Sequence, residues 1–192
     1  MSLTPWRSLL ARALHRNRSQ PHCRYLQLAT ITPEGYPANR TVVFRGFLDN
    51  TNDLKIVVDS RSKKIRDIQH LPHSEGCWYF TKTREQFRLT GSLNLVTAES
   101  TDKELQTARQ TTWHNLSEAA RSQFSWPHPE KQRADKEAFT VDVPDENIPL
   151  NNFCLLLLIP TKVDHLELRG EPQSRTLYYL HDGSWSIRAV NP

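Results

Sequence analysis

This 192-residue sequence lacks any segment able to cross a bilayer as a helix. Its longest purely apolar run, Leu155 to Ile159, extends backward only through Cys154 and Phe153, far short of the ~20 residues a spanning helix needs. Cysteine is scarce: Cys23, Cys77 and Cys154 are far apart, follow no metal-ligand spacing and are odd in number. That pattern predicts free thiols in a reducing compartment, hence a cytoplasmic protein. No G-x-G-x-x-G, P-loop, H-E-x-x-H, C-x-x-C or G-x-S-x-G occurs, which argues against a Rossmann enzyme, a zinc hydrolase and a serine esterase. The eight histidines, among them His70, His73, His114, His128, His165 and His181, are scattered without ligand spacing. They read as surface or turn residues, and no metal is expected.

What is present fits one ordinary globular domain over residues 1–192, with 37% hydrophobic and 24% charged residues. The net charge of +4 is concentrated at the start, where Arg7, Arg12, Arg16, Arg18 and Arg24 precede the first acid, Glu34. Trp6, Leu9, Leu10, Ala13 and Leu14 recur beside those arginines at helical spacing. Residues 1–20 therefore read as a basic amphipathic helix seeking a partner face, rather than as an organelle transit peptide. A local basic patch of this kind makes nucleic-acid binding a secondary possibility, expected to show as steep salt dependence.

Beyond this helix, "YLQLATI" and "ANRTVVFRGF" flank a turn with Pro33 and Gly35 and predict a hairpin, and "LKIVV" a third strand. Ser60 or Ser62 is placed to cap a short helix carrying Ile65, Ile68 and Leu71, stopped by Pro72 and packed on a barrel rim. "EGCWYFTKT" and "EQFRLTGSLNLV" predict two more strands, the second with Phe87, Leu89, Leu93 and Leu95 on one face. One or two helices follow between Ser100 and Phe124, with Trp113 and Phe124 read as core. Residues 127–152, rich in proline and charge, read as an exposed excursion. Three closing strands, the last two joined at "HDG", complete a mainly β (α+β) chain: a closed or split β-barrel with peripheral helices.

The chemistry-bearing feature is a set of donors at strand ends. Arg40 and Arg45 bracket "TVVF"; Ser60, Ser62, Lys63 and Lys64 form the turn into the short helix; Gln86 and Arg88 lie on the following long strand. Guanidinium groups, a lysine and the start of a helix together suit a phosphate, although such residues in turns are commonly solvated surface charge.

Taken in order, "RTVVFR", "SKK" and "REQFRLTG" resemble the FMN-binding split-barrel family related to pyridoxamine 5'-phosphate oxidase. The resemblance covers Arg40 to Gly91 well and reaches more weakly to "FSWP" and "VDHLELRGEPQSRTLYY". It implies an FMN-binding split barrel in which Arg40 and Lys64 hold the phosphate, with Thr41, Val42 and Val43 beside Arg40 and with Ser62 and Lys63 alongside Lys64. Lys63 stands where the family usually has arginine. Val57 and Val58 would offer backbone contacts to the flavin, Gln86 a hydrogen bond to its polar edge, and Arg45 a position near flavin and substrate. The resemblance further implies a homodimer with FMN at the interface, with Ser125, Trp126 and Arg175 near the shared site. It makes the protein an expected oxidoreductase acting on a small molecule, an amine or a pyridoxine-type phosphate.

The departures fall on the substrate side. "PQSRTLYY" keeps only Arg175 of the family's Arg-Leu-His-Asp-Arg run, and Leu168 or Arg169 stands where a tryptophan lies on the flavin. "LQTARQTTW" keeps at most Arg109 of the helical substrate cluster. A flavin- or ligand-binding protein without turnover is the alternative expectation, and no catalytic residue is assigned.

Overall fold

The computed structural model describes residues 4–192. Eight strands form one antiparallel sheet: β1 (Tyr25–Ile31), β2 (Pro37–Phe47), β3 (Leu54–Asp59), β4 (His73–Phe80), β5 (Glu85–Val96), β6 (Phe153–Glu167), β7 (Ser174–His181) and β8 (Ser184–Val190). They lie in the order β3-β2-β1-β4-β5-β6-β7-β8, and pairing of β3 with β6 closes the first six into a barrel. The expected mainly β barrel with peripheral helices is the architecture found.

Closure depends on the length of β6. Its first part, Phe153–Leu158, pairs with all of β3, whereas Lys162–Glu167 pairs with β7, so one strand serves the barrel and then an outlying hairpin. The change of direction is a bulge. Thr90 faces Lys162 and Gly91 faces Pro160, which leaves Thr161 as the extra residue. The strands approach so closely here that a Cβ on Gly91 would lie 2.0 Å from the Ile159 carbonyl oxygen. At the tip of the β7–β8 hairpin, Asp182 and Gly183 have φ of 48° and 76°, the pair of left-handed conformations a two-residue primed turn requires.

Alternation along β1, β4 and β5 sends Leu26, Leu28, Trp78, Phe80, Phe87 and Leu89 into the barrel interior. Helix α1 (Pro5–Asn17) starts with a proline that lacks only an N–H the first turn would leave unused. It closes the barrel with Trp6, Leu10 and Ala13. Helix α2 (Lys64–His70) adds Ile65 and Ile68 to the same core. The segment from Ser100 to Phe124 forms two helices, α3 (Lys103–His114) and α4 (Glu118–Ser122). Asp102 and Ser117 accept the first backbone N–H groups of these helices. Trp113, Phe124 and Phe153 pack edge to face as a small separate core, with centroids 5.0–5.7 Å apart.

Three expectations are corrected. Neither Ser60 nor Ser62 caps α2: Lys63 occupies the cap position, and the Ser62 hydroxyl donates instead to the Asp59 carbonyl at 2.7 Å. His165 is no surface histidine. It is 2% exposed, stacks on Phe87 at 4.1 Å and places Nε2 3.0 Å from the Glu85 carboxylate. Strand pairing brings Glu85, His165 and Glu167 within 4.8 Å of one another, a proximity that linear spacing could not reveal. Finally, the excursion 127–152 is exposed over most of its length, but one stretch of it, with a short 3-10 turn at Lys136–Phe139, folds back as a wall.

Candidate functional site

The wall faces the outer surface of β2 and β3, and a cavity of about 610 Å3 lies between them. On the strand side it is lined by Arg40, Thr41, Val42, Val43, Arg45, Val57 and Val58, and on the turn side by Asp59, Arg61, Ser62 and Lys64. The other wall is formed by Phe124, Trp126 and the stretch from Pro127 to Ala134, with Phe139 behind. The groove thus gathers ten of the fourteen residues expected at a site, from three separated segments. Lys63, Gln86, Ser125 and Arg175 are not among its lining residues. Lys63 is exposed and pairs with Glu130 of the opposite wall at 2.6 Å. Gln86 lies on β5 opposite Tyr79 and Leu166, and Arg175, on β7, forks onto Asp164 at 3.0 and 2.7 Å.

Strand alternation explains how Arg40 and Arg45 are presented. Arg40 shares the inward face of β2 with Val42 and Phe44, so its side chain leaves at the barrel mouth, while Arg45 shares the outer face with Thr41 and Val43. Arg40 is held from behind. Its Nη1 donates to the Thr30 hydroxyl at 2.7 Å and to the Leu28 and Ala38 carbonyls, and its Nη2 to Asp67 at 3.3 Å. Asp67 is 5% exposed and also accepts from the Thr30 hydroxyl at 2.8 Å. This buried carboxylate on α2 locks the guanidinium of β2 in place.

Lys64 projects into the same corner and donates to the Ser62 hydroxyl at 3.0 Å. Its burial, followed by repulsion from Arg40, pulls its pKa below the ordinary lysine value, with Asp59, Glu130 and Asp67 opposing. Arg45 is the other under-served cation. Its Nε is buried with no hydrogen-bond partner among the described residues, and burial followed by the charge of Arg24 lowers its pKa. The expected helix-start donors contribute less than the side chains. The N–H groups of Ser62, Ile65 and Arg66 are already spent on the carbonyls of Asp59, Ser62 and Lys63, and α2 has only seven residues.

The opposite wall is tied down by residues the sequence reading left unassigned. Arg61 forks onto Asp59 at 2.6–3.1 Å and reaches across to the Phe124 and Trp126 carbonyls at 3.1 and 3.0 Å. Asn152 joins the same clasp, donating to Asp59 at 3.0 Å and to Phe124 at 2.8 Å. The legible signal was "DSR", an Asp whose side chain accepts the backbone N–H two residues on. Burial pushes the Asp59 carboxyl up, but its hydrogen bonds and charge contact with Arg61 bring it below the ordinary value overall. That part of the stability is therefore fully present above the unfolded aspartate pKa of about 3.9 and is lost as pH falls through the lower folded value. Arg61→Ala is expected to destabilise the protein by about 2 kcal/mol. Urea unfolding at pH 7 measures this, and an unchanged midpoint would show that the clasp contributes nothing.

Arg109, at most a match to the substrate cluster that the resemblance implies, is committed elsewhere. It is buried and donates to the Phe153 and Leu150 carbonyls at 2.9 and 2.8 Å, so it braces α3 against the start of β6. Among the described residues, no helix is long and apolar enough to cross a membrane.

Comparison with known proteins agrees with this architecture. Residues 3–97 match the sequence model described as pyridoxamine 5'-phosphate oxidase, FMN-binding domain. The chain is 37% identical to pyridoxine/pyridoxamine 5'-phosphate oxidase 2 of Arabidopsis thaliana, over 99% of this chain and 98% of that protein. It superposes with a TM-score of 0.97 on the crystal structure of a pyridoxamine 5'-phosphate oxidase-related, FMN-binding protein from Nostoc punctiforme, at 56% identity over the whole of both chains. PhzG of Burkholderia lata shares the fold, with a TM-score of 0.77 at 20% identity over 100% of this chain and 98% of that one. With its barrel, its motifs and these full-length similarities in agreement, the chain belongs to the pyridoxamine 5'-phosphate oxidase-related family of FMN-binding split barrels.

Proposed function

We propose that the protein binds FMN in the groove between β2–β3 and the loop wall, and that it is an oxidoreductase acting on a small amine or pyridoxine-type phosphate. The observation that carries this reading is the convergence of Arg40, Ser62 and Lys64 on one corner of a groove that also holds the unpartnered Arg45 Nε. The residues fit the cofactor. A phosphate dianion would meet a braced guanidinium, a hydroxyl and an ammonium whose charge is poorly compensated without it. Val43, Val57, Phe124 and Trp126 offer apolar surface for a flat ring, and Arg45 a donor for its polar edge or for substrate.

FMN, when bound, supplies the two-electron redox chemistry. This chain's residues would hold the phosphate, orient the ring and limit water at its face. Gln86, Ser125 and Arg175, which do not line the groove of their own chain, are assigned to the cofactor bound by the partner in a homodimer. The similarity to relatives named as pyridoxine/pyridoxamine 5'-phosphate oxidases supports the substrate class.

The commitment of Arg109 to backbone carbonyls favours a second reading, a flavin-binding protein without turnover. One preparation separates the two. The purified protein is expected to carry, or take up, FMN with a visible flavin spectrum, and a colourless protein that refuses added FMN would overturn the proposal. Oxidation of pyridoxamine 5'-phosphate or pyridoxine 5'-phosphate by the FMN-loaded protein then supports the enzyme, and FMN binding without turnover of either supports the second reading.

A further inference from the structure

A second cavity, of about 480 Å3, shares no lining residue with the groove. It is bounded by His15, Arg16 and Arg18 at the end of α1, by Lys82 and Thr83 in the β4–β5 turn, and by Arg169 just beyond β6. Four of these six residues are arginine or lysine, and none is acidic. Among the described residues, Arg16, Arg18, Lys82 and Arg169 take part in no ion pair, and the neighbouring Glu167 is engaged by Arg12 at 3.9 Å. A helix C-terminus favours cations, which accounts for Arg16 and Arg18 at the end of α1. It does not account for Lys82 and Arg169, brought to the same cavity from two other elements.

The elements that carry the cluster are fixed to each other, while its basic side chains are exposed. Asn17, 1% exposed, staples α1 to the turn: its Nδ2 donates to the Thr83 hydroxyl at 3.0 Å and its Oδ1 accepts the Lys82 N–H at 3.0 Å. Arg169 donates to the Lys82 carbonyl at 2.6 Å, and Arg18 to the His15 carbonyl at 2.9 Å. These contacts use part of the Arg18 and Arg169 guanidiniums and set the orientation of their remaining donors, whereas Arg16 is exposed. Like charges held together this way repel one another at a cost that a bound anion offsets.

We infer that this cavity binds a small phosphate monoester. It is an open, solvent-facing depression with room for a small ligand. Guanidinium forks and an ammonium match a tetrahedral dianion, and a concave site lined by six residues favours a compact ligand over a polymer. No Phe, Tyr or Trp lines it, so recognition runs through the phosphate.

The test uses the full-length protein loaded with one equivalent of FMN, so that the groove is filled, at low ionic strength, with glycerol 3-phosphate as the probe and glycerol as the uncharged control, read by calorimetry and by 31P line broadening. Binding of glycerol 3-phosphate without binding of glycerol is expected. It should weaken at least tenfold in Arg16→Ser and in the double variant Lys82→Ser/Arg169→Ser, whose replaced side chains are exposed. No binding, or binding insensitive to these substitutions, would overturn the inference, the latter by placing the phosphate elsewhere on the protein. Tighter binding of a single-stranded oligonucleotide, lost in the same variants, would also overturn it and identify a nucleic-acid surface.

Discussion

Replacing Lys64 by alanine is expected to weaken FMN binding by about 1.5–3 kcal/mol, the range for a hydrogen bond to a charged group, or roughly a 10- to 160-fold rise in Kd. The expectation rests on the position of the ammonium. It is largely withdrawn from water beside Arg40, and its pKa is lowered by burial first and by that neighbouring charge second. A phosphate dianion would restore what burial removes. The same argument sets a pH dependence: affinity in the wild-type protein should fall as pH rises through a Lys64 pKa below the ordinary value of about 10.4. Lys64→Arg, which cannot lose its charge in this range, should bind with a flatter alkaline limb. Titration of flavin fluorescence across pH measures all three proteins, and unchanged affinity in Lys64→Ala would place the phosphate elsewhere.

Gly91→Ala is expected to produce the largest loss of stability among single-methyl changes, about 3 kcal/mol or more. The added Cβ would lie 2.0 Å from the Ile159 oxygen, 2.8 Å from its carbonyl carbon and 2.9 Å from the Pro160 Cα. All three are backbone atoms and cannot swing aside as a flexible side chain would. They belong to the stretch where β6 turns from pairing with β3 to pairing with β7, so relief by movement would disturb barrel closure. For a chain of this size the loss corresponds to a fall in Tm of roughly 6–12 °C, and thermal unfolding followed by circular dichroism reads it directly. Gly76→Ala is the comparison: its Cβ would meet only side-chain methyls, Leu26 Cδ1 at 3.0 Å and Leu158 Cδ2 at 3.3 Å, and should cost less. Equal losses in the two variants would show that the bulge does not constrain Gly91.

Much of the fold was legible because its signals are local. Alternation in "EQFRLTGSLNLV", the turn at "HDG" and the helical spacing of Trp6, Leu10 and Ala13 each depend on neighbours within a few residues, and each element stands where those patterns put it. The cap at Ser60 or Ser62 failed for a tertiary reason: the Ser62 hydroxyl serves the Asp59 carbonyl and receives Lys64, which takes it away from the helix N–H groups. His165 failed similarly, since its burial follows from β5 lying beside β6. Asp67 was missed because it stands two residues from Ile65, off the face that Ile65 and Ile68 share by helical spacing, and its burial comes from the elements packed on α2. A buried acid asks for a cationic partner, and that partner, Arg40, lies 27 residues away.

Composition, strand alternation and the three ordered motifs determined from sequence alone that this is a barrel with a basic turn between a strand and a short helix, because strand period, helix period and turn chemistry are properties of short segments. Only the tertiary structure decided which donors act together. It joined Arg40 to Asp67 and Lys64 to Ser62, sent Lys63 to Glu130 and Arg175 to Asp164, and turned part of the 127–152 excursion into the second wall of the groove through Arg61, Asp59 and Asn152. Those choices depend on long-range strand register and on competition among several charged groups for the same partners, which no short stretch of sequence contains.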